Sequence, residues 1–130
     1  MSRIRVLLAD DHERVLEYVR EFLSTEFEIV AAVTDGKTAL DAAAHLRPDV
    51  VVLDISMPVL TGLQVARLLQ DVDSRVKIVF LTVDKDPDTC RAAIETGAVG
   101  YVLKARLVTD LIPAIKLATE GGRFISPGCE

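Results

Sequence analysis

Short apolar runs and longer amphipathic segments alternate along the whole chain. Runs rich in Val, Ile, Leu and Ala predict five strands, at residues 4–9, 28–33, 50–53, 76–81 and 99–103. Between them, apolar residues recur at helical spacing and predict five helices, at residues 12–25, after Gly36 to near Pro48, and at about 62–71, 87–96 and 109–121. The pattern is therefore a repeated strand–helix unit.

The strands are almost continuously apolar, which indicates that both faces of each strand are buried. A parallel sheet covered by helices on both faces produces such strands. We therefore predict an α/β, flavodoxin-like, doubly wound fold with a five-stranded parallel sheet and five helices. The strand order 2-1-3-4-5 is expected, because this order and right-handed crossovers suit five such units, although periodicity alone does not determine it.

Length and composition limit the function classes. The 130 residues suit one domain, and the formal net charge of −5 argues against direct nucleic-acid binding by this domain. We find no apolar run near the roughly 20 residues that span a bilayer, so we expect a cytoplasmic location without membrane association. Cys90 and Cys129 are too few for a disulfide framework, and we expect reduced thiols.

Acidic residues follow two of the predicted strands. Asp10 and Asp11 end the first strand, and Asp54 ends the third. In the predicted fold these strand ends border the crevice where ligands bind. Three neighbouring carboxylates repel one another unless a cation is bound, and Mg²⁺ prefers such oxygen ligands. Asp54 stands alone on its strand end and is the candidate nucleophile toward phosphorus.

Two further strand ends complement the acids. Thr82 offers a hydroxyl after the fourth strand, and Lys104 offers an ammonium after the fifth. Each of these residues has an ordinary alternative: Asp10 or Asp11 could cap the first helix, and Thr82 or Lys104 could be a plain loop residue. Their occurrence together at four strand ends favours a single site for a phosphoryl group.

These positions, in this order and at these intervals, resemble the receiver domain of two-component response regulators over essentially the whole chain. The matching residues are Asp10, Asp11, Asp54, the Met-Pro…Gly segment at 57–62, Thr82 and Lys104. The resemblance implies a signalling domain rather than an enzyme, one that catalyses only its own phosphorylation and dephosphorylation.

The resemblance also implies a phosphoacceptor and a metal site. Asp54 would accept a phosphoryl group from a histidine kinase. Asp11, Asp54 and the main-chain carbonyl of Ser56 would bind Mg²⁺, for which Mn²⁺ can substitute, and Asp10 would act through a metal-bound water. These roles carry over from the family and do not follow from the spacing alone.

The remaining family roles concern switching and signal lifetime. Thr82 and Lys104 would contact the phosphoryl group, and Tyr101 matches the aromatic switch position, whose ring would turn inward with Thr82. The output face would be the fourth helix, fifth strand and fifth helix. Ser56 and Asp84 occupy positions that tune the dephosphorylation rate in this family.

Two residues, one before the last helix and one within it, depart from the expected pattern. Ala105 stands where many receivers have proline, so a cis peptide after Lys104 is not assumed. Pro113 falls inside the last helical pattern, and it is tolerated if Thr109 caps the helix and places the proline in or near the first turn.

The end of the chain resembles the segment that leaves the receiver in regulators with a LuxR-type helix-turn-helix output. We therefore expect a receiver domain at residues 1–122, followed at 123–130 by a tail or the start of a linker to an absent DNA-binding domain. Control of transcription and phosphorylation-dependent homodimerisation are expectations from the family.

Three alternatives stay open at this point. A haloacid-dehalogenase-like phosphatase also uses an aspartyl nucleophile with magnesium, but it wants a second acid where Ser56 stands. A stand-alone receiver would act by docking to a partner protein. A degenerate receiver would no longer take phosphate, although every expected site residue is present.

Overall fold

The computed structural model describes residues 3–73 and 75–127. The strands are β1 Arg5–Ala9, β2 Glu28–Val33, β3 Val50–Leu53, β4 Lys77–Thr82, β5 Gly100–Leu103 and β6 Phe124–Ile125. The helices are α1 Glu13–Ser24, α2 Gly36–Leu46, α3 Gly62–Val72, α4 Pro87–Glu95 and α5 Leu107–Thr119, and a short 3₁₀ turn, Lys104–Arg106, precedes α5. The predicted alternation is confirmed.

The strands form one parallel sheet in the order β2-β1-β3-β4-β5-β6. The direction of winding reverses between β1 and β3, so the predicted flavodoxin-like order is confirmed. The sheet gains a sixth strand that the sequence pattern did not predict. A two-residue strand is too short for periodicity to reveal, and β6 exists because its backbone pairs with β5.

Helices cover both faces of the sheet. Alternate strand residues point to opposite faces, so Leu7 and Val51 pack with α2, α3 and α4, while Val6 and Val50 pack with α1 and α5. Strands β1, β3, β4 and β5 are buried along nearly their whole length, as their apolar composition predicts. The prediction is wrong for β2, which lies at the edge of the sheet and is only partly buried. Among the described residues, no helix combines the length and the apolar character that crossing a bilayer requires.

Helix α5 begins earlier than predicted. It starts at Leu107, so Pro113 lies inside the helix and not in a first turn capped by Thr109. Pro113 cannot donate a backbone hydrogen bond, which leaves the Thr109 carbonyl without its helical partner. Both residues are exposed, so water can reach that carbonyl, and the buried residues of α5 keep the helix on the sheet.

Two smaller expectations can be compared with the structure. All described peptide bonds are trans, including the one between Lys104 and Ala105. Cys90 is buried on α4 and is not a free thiol, so the expectation of a reduced thiol is wrong at this position. Cys129 lies outside the described residues.

Candidate functional site

The parallel register of β1 and β3 brings their terminal acids together. Ala9 pairs with Leu53, and the Asp54 amide donates to the Ala9 carbonyl at 2.9 Å. The Asp10 amide donates to Val33 of the neighbouring strand at 3.1 Å. Because these backbone bonds fix both residues just beyond the sheet, the two carboxylates project into the same crevice.

Lys104 bridges the two acids. Its Nζ lies 2.7 Å from Asp10 Oδ2 and 3.2 Å from Asp54 Oδ2. The side chains of Lys104, Asp10 and Asp54 are only 15%, 7% and 9% exposed, respectively. An ion pair with so little water contact is weakly screened, so the ammonium is the main compensation for the two negative charges among the described side chains.

The electrostatic balance differs between the partners. Burial raises the pKa of Asp54, the nearby Asp10 charge raises it further, and Lys104 opposes both effects. For Lys104, burial disfavours the charged form, but the hydrogen bond to Asp10 and the charges of both acids outweigh it and raise its pKa. These contacts therefore favour the charged form of Lys104, whereas burial and the charge of Asp10 disfavour the charged form of Asp54.

A third carboxylate completes an acidic cluster. Oxygens of Asp10, Asp11 and Asp54 all lie within 4.8 Å of one another, with Asp11 exposed and the other two buried. The donor set is entirely oxygen, it is open to water at Asp11, and only part of its charge is compensated by Lys104. These features fit a hard divalent ion that retains some of its water.

The loop after Asp54 folds back so that its end, at Gly62, lies against its beginning, at Ile55. The Gly62 amide donates to the Ile55 carbonyl at 2.8 Å, and the Ser56 amide approaches Asp54 Oδ1 at 3.4 Å. The side chain of Ser56 is exposed, whereas its backbone lies against the acid. Because a Cβ at position 62 would lie 2.9 Å from Ile55 Cα, only glycine permits this close return.

Thr82 and Tyr101 meet at the loop that follows β4. Thr82 is buried, and its hydroxyl accepts a hydrogen bond from the Asp84 amide at 3.2 Å. The Tyr101 hydroxyl donates to the Asp84 carbonyl at 2.7 Å, and its ring is fully buried beside Phe80. Burial, together with the neighbouring acids, raises the pKa of Tyr101. The ring is thus fixed in a buried position against the loop that follows β4.

Asp10 makes a local hydrogen bond just before α1, but it does not cap this helix, whose N-cap residue is His12. Asp10 Oδ1 accepts the His12 amide at 2.8 Å, just before α1, while Asp10 Oδ2 faces Lys104. Asp10 therefore fixes the turn before α1 and belongs to the acidic cluster, and helix capping does not explain its position.

Two contacts of the site were not anticipated from the sequence. One is the bridge of Lys104 between Asp10 and Asp54, since the sequence pattern predicted a contact of the ammonium with phosphate only. The other is the bond from Tyr101 to the Asp84 backbone. A main-chain acceptor carries no residue-type signal, so the sequence offered no means of finding that bond.

A family model described as the response regulator receiver domain matches residues 6–116. The chain belongs to this family. That membership favours the receiver interpretation over a dehalogenase-like phosphatase. A curated relative, the transcriptional regulatory protein DegU of Brevibacillus brevis, is 34% identical over 128 residues, which cover 97% of this chain and 54% of that protein. The chain thus spans about half the length of that relative.

Solved structures agree with this assignment. A LuxR-family two-component response regulator from Aurantimonas sp. SI85-9A1 is 30% identical, with a TM-score of 0.92, over 97% of this chain and 91% of that one. The isolated receiver domain of RcsB from Salmonella enterica serovar Typhimurium, solved with the phosphomimetic BeF₃⁻, is 25% identical, with a TM-score of 0.90, over 98% and 96% of the respective chains.

Proposed function

We propose that Asp54 accepts a phosphoryl group and that this modification switches the output face of the domain. The observation that carries the proposal is the Asp54 carboxylate at the end of β3, buried against Lys104 and grouped with Asp10 and Asp11. A buried acid with a raised pKa, beside a cation and two other acids, is typical of a functional site.

In the proposed reaction, an Asp54 carboxylate oxygen attacks phosphorus while the bond from phosphorus to the donor breaks. With a histidine kinase, the phosphorus–nitrogen bond breaks, and the imidazole keeps the electron pair. Lys104 would move from the carboxylate oxygens to an oxygen of the transferred group, since its ammonium is the nearest described cation. Positioning and charge compensation account for most catalysis of this kind.

Asp10, Asp11 and Asp54 would hold Mg²⁺, with the Ser56 carbonyl as a further ligand and Asp10 acting through a water. Bound there, the ion supplies charge compensation for the phosphoryl oxygens. Mn²⁺ is expected to substitute, since it also takes oxygen ligands.

Switching is proposed to begin at Thr82. If the Thr82 hydroxyl turns toward the phosphoryl group, the hydrogen bond that it accepts from the Asp84 amide is broken. The Asp84 carbonyl accepts the Tyr101 hydroxyl, and the Asp84 carboxylate accepts the amide of Asp86, the N-cap of α4. The movement would therefore reach Tyr101 and the start of α4 together. Ser56 and Asp84 are proposed to tune the dephosphorylation rate.

We propose a histidine kinase as the phosphodonor and a homodimer as one consequence of phosphorylation. For the complete protein, we propose control of transcription through a DNA-binding domain, because the DegU relative is a transcriptional regulator and is longer than this chain. This domain itself is expected not to bind nucleic acid, and a cytoplasmic location follows from the proposed function.

The proposal is tested by intact mass after incubation with Mg²⁺ and acetyl phosphate. We expect one phosphoryl adduct of about 80 Da, labile to base, because a single activated carboxylate is proposed. The adduct should be absent without Mg²⁺ and in Asp54→Asn.

The matched control is Asp41→Asn, which changes an exposed aspartate of α2 in the same way. It should be phosphorylated like the wild type. A folded wild-type domain that gains no adduct would contradict the proposal and favour the degenerate or docking alternatives. An adduct that persists in Asp54→Asn would contradict the assignment of the phosphoacceptor.

A further inference from the structure

Gly36, the first residue of α2, lies against the loop that follows the phosphoacceptor strand. Its amide faces the Pro58 carbonyl at 3.4 Å. A Cβ at position 36 would overlap the Leu60 carbonyl oxygen, and it would lie 2.7 Å from Leu60 Cβ and 2.8 Å from the Leu60 carbonyl carbon. Real Cβ atoms do not approach other atoms so closely, so any side chain here must displace something.

The backbone of Gly36 does not itself require glycine. The positive-φ glycines among the described residues are Gly97 and Gly121, so Gly36 has a conformation that other residues adopt. At a helical position alanine is favoured over glycine by up to about 1 kcal/mol. Helix propensity alone would therefore favour alanine at position 36. The close contact with Leu60 is the reason that glycine is needed there.

Helix α2 cannot easily move away from such a collision. Asp35 caps it, accepting hydrogen bonds at 2.8 Å from both the amide and the hydroxyl of Thr38. Ala39 and Ala43 are buried in the core beneath it. The cap keeps the first turn helical, and retreat of the whole helix would draw Ala39 and Ala43 out of the core. The loop that carries Leu60 must therefore move instead.

The loop at residues 56–61 is easier to displace than α2. Pro58 and Val59 are exposed, and Val59 has a φ of 72°, a conformation that is costly for a β-branched residue. Such a residue stays in place only where its surroundings hold it. The same loop carries Ser56, whose amide approaches Asp54 and whose carbonyl is the proposed metal ligand.

We propose that Gly36 is a positioning residue for the metal site: by leaving room for the Leu60 carbonyl, it keeps the loop at residues 56–61 in the conformation that presents the Ser56 carbonyl. The inference rests on the proposed function, since it concerns the same Mg²⁺ site. It assigns a role in that site to a residue of α2, which supplies none of the proposed ligands.

The first test compares Mg²⁺ affinity in the wild type and Gly36→Ala by titrating amide chemical shifts at residues 10–12 and 54–56. Displacing a ligand-bearing loop should weaken Mg²⁺ binding at least threefold, because metal sites depend on the placement of each ligand. The control is Gly122→Ala, whose Cβ would meet the flexible end of Leu117 at 3.0 Å and should leave the affinity unchanged. Equal affinities in the wild type and Gly36→Ala would overturn the inference.

The second test uses the wild type alone and so does not depend on how a variant folds. If the contact favours metal binding, the metal must favour the contact by the same factor. Hydrogen exchange at the Gly36 amide should therefore slow at least threefold when Mg²⁺ saturates the site. Unchanged exchange at Gly36 would overturn the inference while leaving the proposed function intact. Failure of the wild type to bind Mg²⁺ would instead overturn the proposed metal site and this inference with it.

Discussion

Lys104 shows how much one residue contributes to the site. It compensates two acids that are both nearly buried and that raise each other's electrostatic cost. The contacts with Asp10 and Asp54 in turn raise the pKa of Lys104 and so favour its charged form. The lysine is therefore part of the stability of the free domain as well as of the proposed phosphoryl site.

Replacing Lys104 with methionine keeps the length of the side chain and removes its charge. We expect the free energy of unfolding to fall by about 1–3 kcal/mol, because Asp10 and Asp54 lose a buried partner. Added Mg²⁺ should restore part of the loss, since it binds the folded state at the proposed site. Urea unfolding with and without Mg²⁺ measures both effects.

The matched control is Lys116→Met, which removes a half-exposed partner of Glu26. An exposed pair contributes about 1 kcal/mol or less, so this variant should lose less stability and should respond to Mg²⁺ as the wild type does. A Lys104→Met variant as stable as the wild type without Mg²⁺ would contradict the structural role of the lysine.

At the level of elements, α5 and β6 are joined through a buried acid. Asp110 of α5 accepts from Arg106, Thr109 and the hydroxyl of Ser126, each within 3.0 Å. Ser126 follows β6, and its hydroxyl also accepts the Leu103 amide. Burial alone would raise the pKa of Asp110, but these hydrogen bonds outweigh it and hold the pKa below the usual value of an aspartate.

The lowered pKa of Asp110 predicts a specific pH dependence. As pH falls, the unfolded chain binds this proton before the folded domain does, so the contribution of Asp110 is complete above about pH 4 and is lost at lower pH. The stability gap between the wild type and Asp110→Asn should therefore narrow from pH 6 to pH 3. Urea midpoints across this range measure it. A constant gap would contradict the prediction, and Asp41→Asn, exposed on α2, serves as the control.

At the scale of the whole molecule, the open side of β5 is covered by the residues after α5. The Ser126 amide donates to the Tyr101 carbonyl at 2.8 Å, and the side chain of Ser126 is fully buried. The expected receiver boundary at residue 122 stays a prediction. The pairing of β6 leads us to propose instead that residues 123–127 fold and unfold with the domain.

Ser126→Ala tests this boundary. If residue 126 belongs to the folding unit, losing a buried hydroxyl with two partners should lower the free energy of unfolding by about 1–3 kcal/mol in a single transition. Ser24→Ala, which removes an exposed hydroxyl at the end of α1, should change it by about 0.5 kcal/mol or less. If Ser126→Ala unfolds at the same denaturant midpoint as the wild type, residues 123–127 are a linker and not part of the folding unit.

The sequence alone determined the strand–helix alternation, the fold class and the acids at the ends of β1 and β3. It could do so because periodicity records which side of each element is buried, and because parallel strands bring their ends to one edge. Family resemblance added the roles proposed for Ser56, Thr82, Asp84, Tyr101 and Lys104.

Only the tertiary structure decided the sixth strand, the early start of α5, the bridge of Lys104 and the fit of Gly36 against Leu60. Each depends on segments that are distant in the chain or on backbone atoms, which have no residue-type signature. Pro113 shows the principle: local propensity ends or delays a helix there, but burial of Leu107, Leu111 and Ala114 against the sheet outweighs one missing hydrogen bond at an exposed position.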